Sequence, residues 1–477
     1  MTLDHTTYLS PYSWRYGSDD MRFIWSEVNK RRIWRRLWVT LAEVQAEFGL
    51  VKPEQVDDLR AHAEQIDVDR ANEIEKDIQH DVIAELKTFA EQCKIGGGII
   101  HLGMTSMDIV DNTDALRVRE SLDLLIHRLH DLLEVFASLI ETWADSPIIA
   151  FTHLQPAEPS TLGYRFAQYA QDLLTDYENL SRLRAAVKGK GLKGAVGTSA
   201  SYTELFGKEN LAKFEMRVIE RLNLPFFTVA TQVYPRKQDY DIVSAVAGLG
   251  ATLYKFAFDL RLLQSPSLGE LAEPFGRKQI GSSAMPFKRN PINAEKIDSL
   301  ARMLAQFPRI AWDNAAHTLL ERTLDDSANR RTSLPEAFLI ADEILITSYR
   351  ITKDLRVNEP AIQRNMSIYA PFAATEKVLI ALCKAGADRQ DMHERIRQHA
   401  MNAWAKVQLG ERDIPISNPL IELIAHDETM LSYLPENKLR ALMDASDHVG
   451  DAPERARELA RIIRTQVYKE TGTQVNE

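Results

Sequence analysis

Apolar residues recur at alternating spacings of three and four along three long stretches of the chain. Leu122, Leu125, Leu129, Leu132, Phe136, Leu139 and Trp143 form one stripe. Leu162, Phe166, Tyr169, Leu173, Tyr177 and Leu180 form a second, and Ile242, Val246, Leu249, Leu253, Phe256, Leu260 and Leu263 a third. This is the period of an amphipathic helix. Stripes of such length are the seams of long helices packed near-parallel or antiparallel. The pattern predicts more helix over 291–320, bent at Pro308, and over 335–356. Alternating strand patterns are nearly absent, so the expected fold is all-α with a central bundle of long helices.

The two ends differ in texture. One helix is expected from Asp19-Asp20 to Gly49, with acidic residues at its start and glycine as its stop. Shorter helices then lead to Gly96-Gly97-Gly98. Beyond residue 358 the stripes shorten, with breaks at Pro360, Pro371, Pro415, Pro419 and Pro435. Three helical domains are expected: 1–110, 111–358 with a polar loop at 281–291, and 359–477. No internal repeat is visible.

Composition narrows the picture. The 477 residues include only 21 glycines and 19 prolines, so turns are few and elements long, which argues against sandwiches, propellers and disordered chains. A net charge of −10 makes nucleic acid a poor partner, because such proteins carry a basic face. Cys93 and Cys383 supply neither a disulfide framework nor a metal-ligand spacing. Met1-Thr2-Leu3-Asp4-His5 lacks the basic start and apolar run of a signal peptide. No stretch approaches the roughly 18 apolar residues of a membrane span. The expectation is a cytoplasmic protein with no nucleic-acid or membrane partner.

Several motifs have a plain structural reading. Gly189-Lys190-Gly191-Leu192-Lys193-Gly194 matches G-x-G-x-x-G. A dinucleotide site needs a strand before that motif, whereas here a long helix precedes it, and Ala195 rules out a phosphate-binding P-loop. It reads as a loop, with Gly194–Ser199 a candidate lid. Lys30, Arg31, Arg32, Arg35 and Arg36 interleave with Trp34 and Trp38. An amphipathic helix that buries its tryptophans and solvates its arginines accounts for them. His393-Glu394 lacks the second histidine of H-E-x-x-H. Neither a catalytic metal nor a cofactor is predicted.

Three polar segments fall where a bundle connects its helices. They are His101–Asp108, with His80-Asp81 upstream; Thr152-His153-Leu154-Gln155-Pro156; and Gly281–Pro291. Together they offer a histidine acid, serine hydroxyls, and lysine and asparagine groups able to hold a carboxylate. On residues alone they mark an anion-handling lyase or hydrolase.

The Gly281–Pro291 loop, following Thr105-Ser106 and Thr152–Pro156 in that order, resembles the signature of the fumarase/aspartase superfamily. Its members release fumarate by elimination across a succinyl carbon–heteroatom bond. Lys288-Arg289-Asn290-Pro291 and the run Glu321–Arg331 are similar to the branch that cleaves succinylated purine and aminoimidazole ribotides, along nearly the whole chain. The resemblance implies a three-part all-helical subunit in a homotetramer with shared active sites. It implies His153 as general acid and Ser282 as base, with Lys288, Asn290, Thr105 and Ser106 holding the succinyl carboxylates. Arg15, Tyr16, Arg322, Ser327 and Arg331 match phosphate-binding positions. His80, Asp81, His101 and Gln232 match further substrate positions, and Glu295 one that orients the catalytic histidine. Gln79 and Lys296 stand where relatives carry arginine, which bears on substrate preference. Two other readings stay open: an argininosuccinate lyase or fumarase, which would leave the Arg322–Arg331 cluster without purpose, and a non-catalytic relative, against which His153, Ser282 and Lys288 all speak.

A helix over 110–145 is about 54 Å long at 1.5 Å per residue, with Thr105-Ser106 before it and His153 after it. Acid, base and carboxylate holders must all reach one small substrate. The expectation is that His153 and Ser282 act on one substrate from different subunits.

Overall fold

The computed structural model describes residues 6–409 and 418–471, so Met1–His5 and Pro415 lie outside the described residues. The first helix expected is two, α1 (Asp19–Ile24) and α2 (Glu27–Glu47). The break comes from Ser26, whose hydroxyl accepts from the Asn29 N–H and caps a new helix. α3 (Pro53–His62), α4 (Val68–Ile78) and α5 (Asp81–Gln92) follow. Then comes α6 (Ser106–Thr142), 37 residues long. Its predicted seam is buried from Leu122 to Phe136, after which Ile140 replaces Leu139 as the buried residue. A 3.6-residue helix drifts off a 3.5-residue stripe, and the seam follows the drift.

β1 (Pro147–Thr152) and β2 (Gln155–Thr161) form an antiparallel hairpin that the sequence pattern did not predict. Pro156 and Pro159 in β2 read as breaks. They are tolerated because a two-stranded sheet consists of edge strands. α7 (Leu162–Ala186), α8 (Ala200–Phe206), α9 (Leu211–Leu222) and α10 (Lys237–Leu263) come next, and the predicted seams of α7 and α10 are buried throughout. A short β3 (Leu271–Ala272) precedes the signature loop. The expected bent helix is α11 (Ile292–Leu304) and a separate α12 (Phe307–Ala316), with Pro308 in the first turn of the second, where its missing N–H costs nothing. α13 (Asp325–Lys353) starts ten residues earlier than expected and carries Pro335 in its interior. β4 (Arg356–Val357) pairs with β3. α14 (Glu359–Ala373), α15 (Thr375–Lys384), α16 (Arg389–Leu409) and α17 (Pro419–Ala425) lead into the C-terminal helices.

The described chain divides into two compact units, each assembled from three stretches. One contains the chain up to Leu129, Thr175–Leu253 and Ser299–Ile346; the other contains His130–Leu174, Tyr254–Asp298 and the chain from Thr347. In the second, Ile149 of β1 is fully buried in a core with Val378, Leu382, Ile424, Met430 and Leu439, and Phe151 packs against it. That core seats the hairpin. Contrary to expectation, Lys237–Leu263 and Glu359–Lys384 are apolar and long enough to cross a membrane by length and composition. Each stretch has a buried seam, Val246 and Leu249 in one and Val378 and Leu382 in the other, beside exposed apolar positions at Phe258, Leu262 and Ile380.

The basic-aromatic helix face is buried more deeply than expected. Trp34 and Trp38 are buried, and so are Arg31 and Arg35. One carboxylate, Glu85 on α5, takes Arg31 at 3.0 Å and Arg35 at 2.7 Å. Arg31 and Arg35 are internal struts, whereas Arg32 and Arg36 are exposed as expected.

Candidate active site

The predicted residues fall in two sets, one in each unit. In the first unit, Arg15 and Tyr16 follow a short 3₁₀ turn, and both their N–H groups bond to Pro11 O, at 2.8 and 3.1 Å. The next two N–H groups are taken by α13 carboxylates, Gly17 by Glu343 at 3.0 Å and Ser18 by Asp342 at 2.6 Å. His80 caps α5, its Nδ1 accepting from the Ile83 N–H, while Nε2 lies 3.3 Å from Ser106 Oγ. Arg331 Nη2 donates to Asp81 at 2.7 Å. Burial pushes the Asp81 carboxyl up, but the hydrogen bond and charge of Arg331 outweigh it and leave the carboxyl below its ordinary value. His80, Asp81, Ser106 and Arg331 are therefore linked by two side-chain contacts.

Gln232 joins the Arg322 loop through its N–H to Glu321 O at 3.2 Å. Arg322 donates to Asp326 at 2.6 Å, and Arg236 donates to the other oxygen of Asp326 at 2.6 Å and to both oxygens of Asp111 at 3.1 Å. Burial raises the Asp326 carboxyl, and the surrounding Arg236, Arg330 and Arg322 bring it below its usual value. Arg322 Nε is buried with no hydrogen-bond partner among the described residues, an N–H left for a further acceptor. Ser327 lies one residue beyond Asp326 in the first turn of α13. His101 has a left-handed backbone, φ +71°, and its ring is bonded to Trp38.

The second unit carries His153, Ser282, Lys288, Asn290, Glu295 and Lys296. His153 and Leu154 are the two central residues of the hairpin turn, with φ of +53° and +59°. Two positive values in a two-residue turn define type I′, which ordinarily prefers Asn-Gly. The imidazole is thus held at an exposed tip on a backbone that histidine adopts at some cost. Ser282 Oγ accepts from the Met285 N–H at 3.1 Å, and Asn290 Nδ2 donates to Gly281 O at 3.1 Å, closing the loop on itself. A side chain on Gly281 would place its Cβ 2.1 Å from Lys288 O. Glu273 anchors the far end by accepting from the Asn293 and Ala294 N–H groups at the start of α11. Glu295 pairs with Arg261 at 3.9 Å. Gln79, one of the two departures, occupies the left-handed C-cap of α4.

Sequence reasoning missed Asp108. It is fully buried and accepts from the N–H of Thr105, Lys193 and Gly194 and from the Lys190 ammonium. The Thr-Ser-x-Asp spacing of a capping box was the signal that could have found it. Among the described residues, no group of three or more His, Cys, Asp or Glu could hold a metal ion.

Comparison with known proteins identifies the family. Residues 18–305 match the Lyase family and residues 371–459 match the Adenylosuccinate lyase C-terminus family. Adenylosuccinate lyase from Saccharomyces cerevisiae is 39% identical over 460 residues, covering 94% of this chain and 93% of the yeast protein. That from Schistosoma mansoni is 37% identical with the same coverage, and that from Archaeoglobus fulgidus is 33% identical over 95% of this chain and 98% of its own. Among solved structures, a fumarate lyase from Mesorhizobium sp. BNC1 matches with a TM-score of 0.82 at 22% identity, over 95% of this chain and 99% of that one. The 3-carboxy-cis,cis-muconate lactonizing enzyme of Pseudomonas putida matches at 0.83 and 22%, with the same coverage. These two likenesses establish the shared fold. The chain is a lyase, built on the all-helical fold of the fumarate lyases. Within that class it belongs to the adenylosuccinate lyase family.

Proposed function

We propose that the protein eliminates fumarate from adenylosuccinate, leaving AMP, and from the succinyl-aminoimidazole-carboxamide ribotide, leaving the aminoimidazole-carboxamide ribotide, in purine nucleotide biosynthesis. The observation that carries this reading is the likeness to adenylosuccinate lyases over more than nine-tenths of both chains. Removal of a proton beside a carboxylate builds negative charge that water stabilises poorly, so donors must be aimed where it develops. Lys288, Asn290, Thr105 and Ser106 supply them. Ser282 takes the carbon-bound proton, the C–N electron pair leaves with nitrogen, and His153 protonates that nitrogen as the fumarate double bond forms. Histidine suits that step near neutral pH. The phosphate is taken by Arg322 and Arg331 with Arg15, Tyr16 and Ser327; the unpaired Arg322 Nε–H supports that role. His80, Asp81, His101, Gln232 and Lys296 complete the substrate contacts, and Glu295 orients the histidine.

The acting form in this proposal is a cytoplasmic homotetramer with shared sites. In support, α6 between the Thr105-Ser106 end and the His153 hairpin has 37 residues, about 55 Å of helix. Phe258 and Leu262 on α10 are exposed at 52% and 40%, as befits a bundle helix with a face left for another subunit. Incubation of the purified protein with each ribotide, reading fumarate release, tests the reaction. Fumarate from neither overturns it.

A further inference from the structure

The Gly189–Gly194 loop matches a nucleotide-binding pattern yet takes no part in the function above. Its contacts show what its glycines do. Asp108, in the first turn of α6, holds the loop with both oxygens: Oδ1 takes the Lys190 ammonium and the Lys193 N–H at 3.2 Å, and Oδ2 takes the Gly194 N–H at 3.1 Å. The same Oδ2 takes the Thr105 N–H at 3.0 Å. One turn further along α6, Asn112 accepts from the Gly191 N–H at 3.0 Å and donates to Gly191 O at 3.1 Å. Asp108, Asn112 and Lys190 are fully buried. A Cβ on Gly189 would lie 2.4 Å from Asn112 Oδ1, and Gly191 and Gly194 hold left-handed φ values of +86° and +73°. The glycines bring the loop's backbone against a helix rather than against a pyrophosphate.

We infer that this loop is a clamp, in which Lys190 and Asp108 are positioning residues that fix Thr105 and Ser106 for the succinyl carboxylate. Asp108 takes the Thr105 backbone N–H, and among the described residues nothing takes the Thr105 hydroxyl. That hydroxyl is therefore available to a substrate oxygen at the end of a helix whose first turn the clamp locks. Lys190 supplies the charge that lets a carboxylate sit fully buried while holding three backbone N–H groups. Lys190 is fully buried, so it acts on the site only through the residues that Asp108 holds, Thr105 first among them.

This inference rests on the proposed reaction, and the reverse direction separates the two. Wild-type protein should join fumarate to AMP; failure to do so overturns the reading of the activity. In Lys190→Met, which keeps the aliphatic stem, the KM for fumarate should rise by about tenfold, while inhibition of the forward reaction by AMP stays within about twofold of wild type. Asp108→Asn, which keeps the shape and one acceptor oxygen, should shift the same constant in the same direction. A folded variant in which both constants move together, or neither does, overturns the clamp. So does failure of both variants to fold, because Lys190 would then serve the fold and not the site.

Discussion

The indole N–H of Trp38 donates to Nδ1 of His101 at 3.0 Å, with the two rings edge to face and 6.1 Å apart. An indole N–H can only donate, so Nδ1 keeps its lone pair and the ring proton sits on Nε2. Burial, helped by nearby His80 and opposed by Asp108, holds the His101 pKa below its ordinary 6.5. A histidine depressed in the folded state stabilises fully above the unfolded pKa, and that contribution is lost as pH falls through the folded value. Urea midpoints measured between about pH 5 and 8 should therefore decline below the ordinary histidine range in the wild type and decline less in His101→Gln. Parallel curves would assign the decline to another group.

The turn that carries His153 separates activity from stability. Glycine adopts φ near +53° without the cost that histidine bears. In His153→Gly, kcat should fall by about 10² to 10⁴, the usual weight of a general acid, while Tm holds or rises. A fall in Tm with kcat intact would remove His153 from the chemistry.

Phosphate recognition is tested at Arg322 and Arg331. Replacing either by methionine should raise KM by about tenfold or more, the scale of a charge-assisted hydrogen bond. Some loss of kcat is also expected, because remote binding energy helps position the reacting end. Unchanged kinetics in both variants would place the phosphate elsewhere.

Gly281→Ala tests the shape of the Ser282 loop. Its Cβ would meet the Lys288 carbonyl at 2.1 Å, so the loop must open. The loop is largely exposed, so Tm should change little while kcat falls by about a hundredfold, as misplacement of a reacting group does. Wild-type kcat would show that the loop's resting shape is irrelevant to turnover.

Shared sites predict complementation. His153→Ala and Ser282→Ala proteins, each inactive, should regain partial activity once their subunits exchange, because some hybrid sites inherit neither change. Hybrids shown to have formed and still inactive would mean that one subunit supplies both residues.

The long helices were legible because a buried stripe needs only its own period, and α7 and α10 show theirs from end to end. Their boundaries were less so: Ser26 and the turn before Phe307 interrupt helices whose apolar pattern runs on. The hairpin was illegible because its second strand contains two prolines and its turn has neither asparagine nor glycine. The candidate site was visible as residue types in three segments, but its supports were not. Asp108 finds Lys190 at a separation of 82 residues, and Arg31 and Arg35 find Glu85 at 54 and 50. Periodicity carries no information about which acid will meet which base across such intervals.

The two arginines on Glu85 give this protein a particular fragility. Both guanidinium groups and the carboxylate are at most 2% exposed, and losing one partner of a buried ion pair costs about 3–5 kcal/mol, a large part of a typical domain's margin of about 5–15 kcal/mol. A change at Glu85 removes the near carboxylate of both arginines at once, leaving Arg31 the more distant Glu27 at 3.8 Å and Arg35 the carbonyls of His62 and Gln65. A natural variant with Glu85→Lys would keep His153, Ser282 and every other motif of the site, and its defect would lie in how much of the chain stays folded, where lowered stability reduces abundance without touching a catalytic group.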